Sequence, residues 1–141
     1  SQAYGTWEWD FYSGGVSNST IVDIITSTND NTTSSGYATG MSSGEQLFMG
    51  ERTAGSLATK FAQSVGTLNN FAWYSVRVTR SISGVFTSYI KGGEFGNVWT
   101  LTDDSGFGSN PFTDATFTSS LYILLDFDAG DRISNIRYKP L

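Results

Sequence analysis

Residues 73–93 read WYSVRVTRSISGVFTSYIKGG. Tyr74, Val76 and Val78 alternate with Trp73, Ser75, Arg77 and Thr79, and the same period of two returns in GVFTSYIKG after a short loop that ends at Gly84. Such alternation marks strands with one buried face, because successive side chains point to opposite sides of a sheet. Two such runs around a Gly-containing loop predict a β-hairpin. The chain is expected to turn again at Gly92 and Gly93.

The same pattern extends outward in both directions. YGTWEWDFY (4–12), TIVDIIT (20–26), QLFMGERT (46–53), SLATKFAQ (56–63), NVWTLT (97–102), SLYILLDFD (120–128) and DRISNIRY (131–138) each read as a strand, and no segment carries a helical period. Between them lie SGGVSN (13–18), STNDNTTSSG (27–36) and TDDSGFGSNP (102–111), rich in residues that supply turns. Many short strands joined by such turns predict an all-β, antiparallel sandwich or barrel. The first and last strands are expected to pair and close a sheet, as they do in a jelly roll.

A chain of 141 residues is expected to form one domain, 1–141, burying roughly 68–70% of its unfolded surface. Absence of cysteine excludes disulfides and thiolate metal sites, and absence of histidine excludes serine–histidine and cysteine–histidine catalysis. Eight basic residues stand against 13 acidic ones, and the bases are scattered along the sequence. With no basic stripe visible, nucleic acid is not expected as a partner. The longest apolar run, LYILL (121–125), is too short to span a bilayer, so no membrane partner is expected. Charged residues are 15% of the chain, well under the usual ~25%, and Gly, Ser and Thr take their place, as in many extracellular and virion β-proteins.

The hairpin at 73–93, with Tyr89-Ile90-Lys91-Gly92 in its second strand, resembles the central hairpin of laminin-G-like and other concanavalin A-like jelly rolls. YGTWEWDFY, YIKGGEFG and DAGDRISNI, in that order, are together similar to a laminin-G-like module of tailed-phage and metagenomic viral surface proteins. The resemblance implies a two-sheet antiparallel β-sandwich whose concave face or loops bind glycans.

The concanavalin A-like fold also houses family-16 glycoside hydrolases, which carry Glu-x-Asp-x-Glu or Glu-x-Asp-x-x-Glu on one strand. Glu8 and Asp10 match the first two carboxylates, but Tyr12 and Ser13 stand where the third belongs, so the proton donor a retaining glycosidase needs is missing. In the simpler reading Trp7, Trp9 and Phe11 fill the core while Glu8, Asp10 and Tyr12 face away from it. There they are candidates for ligand contact.

The stretch DFDAGD offers Asp126, Asp128 and Asp131 around a tight turn. Three carboxylates so close could hold Ca²⁺, which takes six to eight oxygens. The alternative is a hairpin turn in which the aspartates accept backbone N–H bonds and Gly130 supplies positive φ. The loop TDDSGFGSNP presents Asp103, Asp104, Phe107 and Asn110, a set suited to stacking on a sugar ring and bonding its hydroxyls. Tyr37, Trp99 and Phe117 are further aromatics that could stand outside.

Taken together, the residues favour a non-enzymatic module on a virion surface or other extracellular assembly, binding glycans or host-surface polysaccharide. The alternatives are a self-assembling homo-oligomeric subunit that packs on other assembly proteins and, more remotely, a family-16-like hydrolase without its acid.

Overall fold

The computed structural model of the chain describes residues 3–16, 18–63, 67–102 and 109–141. Among these residues eleven strands run in the order β1 Gly5–Tyr12, β2 Thr20–Thr26, β3 Gly36–Met41, β4 Leu47–Thr53, β5 Ser56–Gln63, β6 Trp73–Arg80, β7 Val85–Gly92, β8 Thr100–Leu101, β9 Phe112–Thr113, β10 Tyr122–Phe127 and β11 Arg132–Pro140. They form two antiparallel sheets. The front sheet has the order β11-β1-β6-β7-β8, with β9 also on β7; the back sheet has the order β10-β2-β3-β4-β5.

The hairpin forms as its alternation demands. Paired residues run from Tyr74↔Gly92 to Arg80↔Phe86, and the Gly84 N–H closes the loop onto the Ser81 carbonyl at 3.0 Å. Gly84 has φ +81°, a conformation open to glycine at little cost. The terminal strands pair as expected, from Gly5↔Pro140 to Tyr12↔Arg132, with a bulge between Glu8 and Asp10.

One core lies between the sheets. The front sheet contributes Trp7, Trp9, Phe11, Tyr74, Val76, Val78, Phe86 and Ile90, and the back sheet Val22, Ile24, Ile25, Tyr37, Met41, Leu47 and Met49. Each such side chain contributes about 1.5–3 kcal/mol on full burial. Across the gap Tyr37 lies edge-on to Phe86 with centroids 4.8 Å apart, and within the front sheet Phe86 stacks on its β9 partner Phe112 at 5.0 Å.

Two elements differ from expectation. NVWTLT forms strand only at Thr100–Leu101. Conversely GYATGM, a stretch without alternation, forms the central strand β3, and all six of its residues are buried. A strand covered on both faces has no polar side to mark it.

At one end of the core Arg80 is almost fully buried, 1% exposed. Its Nη1 donates to the Ala3 carbonyl at 2.9 Å and the Phe117 carbonyl at 2.6 Å, and its Nη2 to the Asp114 carbonyl at 3.0 Å. The guanidinium also lies within 5.1 Å of the ring centroids of Tyr4, Tyr37 and Phe86. It ties the start of the chain and the 114–117 loop to β6.

Beside it the Tyr37 hydroxyl donates to Asp114 Oδ1. Burial, and then that bond, push the Tyr37 phenol up to about 12. An unfolded tyrosine ionises near 10, so the unfolded state loses this proton first as pH rises. The contribution is therefore complete below about pH 10 and fades between about pH 10 and 12, a loss of about 2–3 kcal/mol. Urea unfolding at pH 8 and near pH 11.5 is expected to show a steeper alkaline loss in the wild type than in Tyr37→Phe. Equal losses would remove this linkage.

Candidate functional site

The outer faces of the two sheets are not equivalent. The back sheet is partly covered by the 27–35 segment. Arg52, 7% exposed, donates from Nε to Asp23 Oδ1 at 2.8 Å and from Nη1 to the Asn31 and Gly55 carbonyls at 3.3 and 2.9 Å. Burial raises the Asp23 carboxyl pKa by more than the bond and charge of Arg52 lower it. The Gly55 N–H then donates to the Ser34 carbonyl at 2.9 Å.

The front sheet presents its polar side outward. Because Trp7, Trp9 and Phe11 face the core, Thr6, Glu8, Asp10 and Tyr12 face out. Their partners across β6 are Thr79, Arg77, Ser75 and Trp73, and across β11 the pairs Thr6↔Lys139, Glu8↔Arg137 and Tyr12↔Arg132 extend the same face. Ser75↔Lys91 carries it onto β7.

These groups are held in place. Arg77 Nε bridges to Glu8 Oε1 at 2.5 Å. Asp10 accepts from Ser75 Oγ and from Asn135 Nδ2, each at 2.6 Å. The Arg77 guanidinium lies 4.2 Å from the centroid of the Trp99 ring, and the Lys91 ammonium 4.8 Å from it. Trp73, 47% exposed, leans on Tyr12 with centroids 5.4 Å apart.

Three adjoining depressions run along the face. One of about 570 Å³ lies among Thr6, Glu8, Arg77, Arg137 and Lys139. Glu8 and Arg137 are shared with a second of about 180 Å³, which includes Asp10, Ser75 and Trp99. Asp10, Ser75 and Lys91 then lead to a third of about 260 Å³ beside Trp73 and Asn97. From residue 6 to residue 12 of β1 the groove extends about 20 Å at strand rise, enough for several consecutive sugar rings.

Glu8, Asp10 and Tyr12 therefore stand together on one open face, as the alternation implies. No third carboxylate joins them from the facing strands, since β6, β7 and β11 contain no acidic residue at all. Trp73 is the aromatic that the motif reading passed over, although the inward period of Tyr74, Val76 and Val78 already requires it to point out. Of the other aromatics, Tyr37 is fully buried, Phe117 packs against the core and Trp99 borders the groove.

Asn110 corrects an expectation. It is buried, its Nδ2 donates to the Ser88 and Thr102 carbonyls at 2.8 and 2.7 Å, and its Oδ1 accepts from the Ser88 N–H at 3.2 Å. Its amide splices β7 to the segment at Thr102, and burial withholds it from a sugar. Asp103, Asp104 and Phe107 lie outside the described residues.

The aspartates of DFDAGD work as a latch. Asp131 is buried; its Oδ1 accepts from the Gly14 N–H at 2.7 Å and Asn18 Nδ2 at 3.1 Å, and its Oδ2 accepts from Thr20 Oγ1 at 2.6 Å. Asp128 Oδ2 accepts from the Ser19 N–H at 2.7 Å, while Asp126 receives Asn31 Nδ2 at 3.2 Å. Their oxygens are met by N–H and O–H donors rather than gathered around one point. Among the described residues no group of three acidic side chains is arranged to hold a metal ion. The Asp131 N–H closes a tight turn onto the Asp128 carbonyl at 3.1 Å, with Gly130 at φ +96°; the aspartates accept N–H bonds there as the turn alternative has it, but the turn is not a hairpin, because it carries the chain from β10 in the back sheet to β11 in the front sheet.

No family model matches the chain, and no curated protein matches it. Among solved structures, the carbohydrate binding module CBM66 from Bacillus subtilis superposes with a TM-score of 0.67 at 13% identity, covering 96% of this chain and 75% of that one. A xylan β-1,4-xylosidase from Bacillus halodurans C-125 gives a TM-score of 0.49 at 10% identity, covering 94% of this chain and 28% of that one. The second likeness is too slight to carry an argument, and the first is one of fold. The chain is a two-sheet antiparallel β-sandwich, similar in architecture to a carbohydrate-binding module.

Proposed function

We propose that this chain is a non-catalytic carbohydrate-binding module whose ligand lies along the outward face of the front sheet. The observation that carries the reading is the groove itself. The exposed Trp73, leaning on the half-buried Tyr12, adjoins carboxylates held by Arg77, Ser75 and Asn135. Ring faces stack on the apolar side of a sugar while fixed polar groups bond its hydroxyls. The fold likeness to a carbohydrate binding module supports the same reading. Glu8 and Asp10 serve as ligand contacts, since among the described residues no third carboxylate stands beside them as the proton donor of the family-16 pattern.

A glycan array tests this. The wild type is expected to retain a defined set of glycans, and Trp73→Ala to lose them at unchanged melting temperature. Retention by Trp73→Ala at wild-type strength would move the site elsewhere, and an array with no signal would remove the reading.

Placement on a virion surface or another extracellular assembly belongs to the same proposal and rests on the low charge and the Gly, Ser and Thr content. Self-association is favoured by the edge strands, β10 with exposed Ile123, Leu125 and Phe127 and β11 with exposed Ile136 and Tyr138. Apolar strand edges are suited to packing on another chain. A strict monomer by light scattering at high concentration would remove that part.

A further inference from the structure

The bases that are scattered in the sequence are gathered by the fold. Of the eight basic residues, Arg77, Lys91, Arg132, Arg137 and Lys139 stand on the outward face of the front sheet, whereas Arg52 and Arg80 are buried. Among the described residues, the acids on the same face are Glu8 and Asp10. Among the described residues, five bases and two acids give this face a net charge of +3 in a chain whose net charge is −5.

The local pairing leaves most of that positive charge unspent. Glu8 is bridged by Arg77, and Asp10 is bound by the neutral donors Ser75 and Asn135. Among the described residues Lys91, Arg132, Arg137 and Lys139 have no carboxylate partner. Arg137 and Lys139 are two apart on β11, hence on the same side, about 7 Å from each other along the strand, and both line the largest depression with Arg77. Lys91 continues the positive charge through the other two depressions, and Arg132 lies over Tyr12, 5.5 Å from its ring centroid, at the far end.

We infer that the groove selects an extended anionic glycan, a polymer carrying carboxylate or sulfate groups at regular intervals, over its neutral counterpart. This rests on the reading of the face as a glycan site and adds the class of glycan. A guanidinium fork matches a carboxylate or sulfate in two parallel bonds. A row of cations that recurs along a groove of about 20 Å matches charge that recurs along a chain rather than a single charged end. The acidic balance of the chain as a whole, −5, disfavours the same polymer away from this face.

The test compares polymers that differ in charge alone. Calorimetric titration of the full chain with oligogalacturonate and with its methyl ester isolates the carboxylate; dextran sulfate and dextran isolate the sulfate; a single-stranded oligonucleotide controls for generic polyanion attraction. One of the two anionic polymers is expected to bind about tenfold or more tightly than its neutral form. That advantage should shrink as salt rises from about 0.02 to 0.3 M and collapse in the double variant Arg137→Gln/Lys139→Gln at unchanged melting temperature. A preference for the sulfated or for the carboxylated pair supports the inference and assigns the anion. Equal affinity for charged and neutral forms overturns it while leaving the glycan reading intact, and oligonucleotide binding as tight as the anionic glycan overturns it as well. Failure to bind any of these polymers, together with an empty glycan array, overturns both.

Discussion

Arg80→Ala is expected to destabilise the sandwich by about 4 kcal/mol, a large part of the roughly 5–15 kcal/mol that holds a domain of this size together. Three carbonyl oxygens, of Ala3, Asp114 and Phe117, receive the guanidinium. Each buried acceptor stranded without a donor costs about 1–3 kcal/mol, less whatever water recovers. The cavity left against Tyr4, Tyr37 and Phe86 adds to this. Desolvation by burial is the main cause that lowers the Arg80 pKa, but the group stays charged because arginine starts so high. Arg80→Lys keeps the charge but offers a point donor in place of a planar fork, so it should recover only part of the loss. Urea denaturation reads the effect as a fall in midpoint at constant slope. A midpoint within about 0.5 kcal/mol of wild type for Arg80→Ala would show that the buried cation is not what binds the 114–117 loop.

Gly36→Ala is expected to cost about 3 kcal/mol or more, at or above the upper end for inserting volume into packed structure. Gly36 begins β3, beside the bulge in β2 between Asp23 and Ile25. A Cβ there would lie 1.7 Å from the Ile25 carbonyl oxygen and 2.6 Å from its carbon, and backbone atoms cannot rotate aside. The strand would have to leave its neighbour and break the ladder at the middle of the back sheet. Gly44→Ala is the control, since its Cβ would meet nothing nearer than Ser42 Oγ at 3.6 Å; it should stay within about 0.5 kcal/mol of wild type. Similar melting temperatures for the two variants would mean that β2 and β3 can separate without consequence.

Gly36 also shows why part of the fold was hidden in the sequence. Strands that bury one face announce themselves, and β1, β6 and β7 could be read residue by residue because polar side chains alternate with core ones. β3 is buried on both sides and carries two glycines that admit close approach of β2, so it lacks alternation and has Thr39 as its one β-branched side chain. The segment before it looked like loop throughout. Arg80 was legible in principle: it follows Tyr74, Val76 and Val78 at the same interval, and the period alone points it inward. Charge is a poor guide to burial where backbone carbonyls collect around a chain end.

The candidate site was half visible. Alternation fixes the outward side of β1 and so groups Glu8, Asp10 and Tyr12 without knowledge of the fold. That Trp73, Arg77, Lys91, Arg137 and Lys139 share their face depends on strand order and register, which bring residues far apart in sequence into adjacent rows. A basic patch assembled in this way leaves no charge run to find. Asn110 and Asp131 mislead for the opposite reason: in a Gly- and Ser-rich turn a polar side chain reads as exposed, yet each is buried and bonds backbone N–H or C=O groups that the turn would otherwise strand.

The central claim is that glycans bind on the outward face of the front sheet, and the four tryptophans report on it. Trp73 and Trp99 border the groove, whereas Trp7 and Trp9 are buried beneath it, 3% and 1% exposed. Nitrogen-15 spectra recorded during titration with a glycan retained on the array should move the indole N–H signals of Trp73 and Trp99 strongly and those of Trp7 and Trp9 little, with backbone shifts along β1, β6, β7 and β11. Saturable binding that leaves the Trp73 and Trp99 signals in place, and shifts instead the back sheet or the β10 edge, would contradict the account.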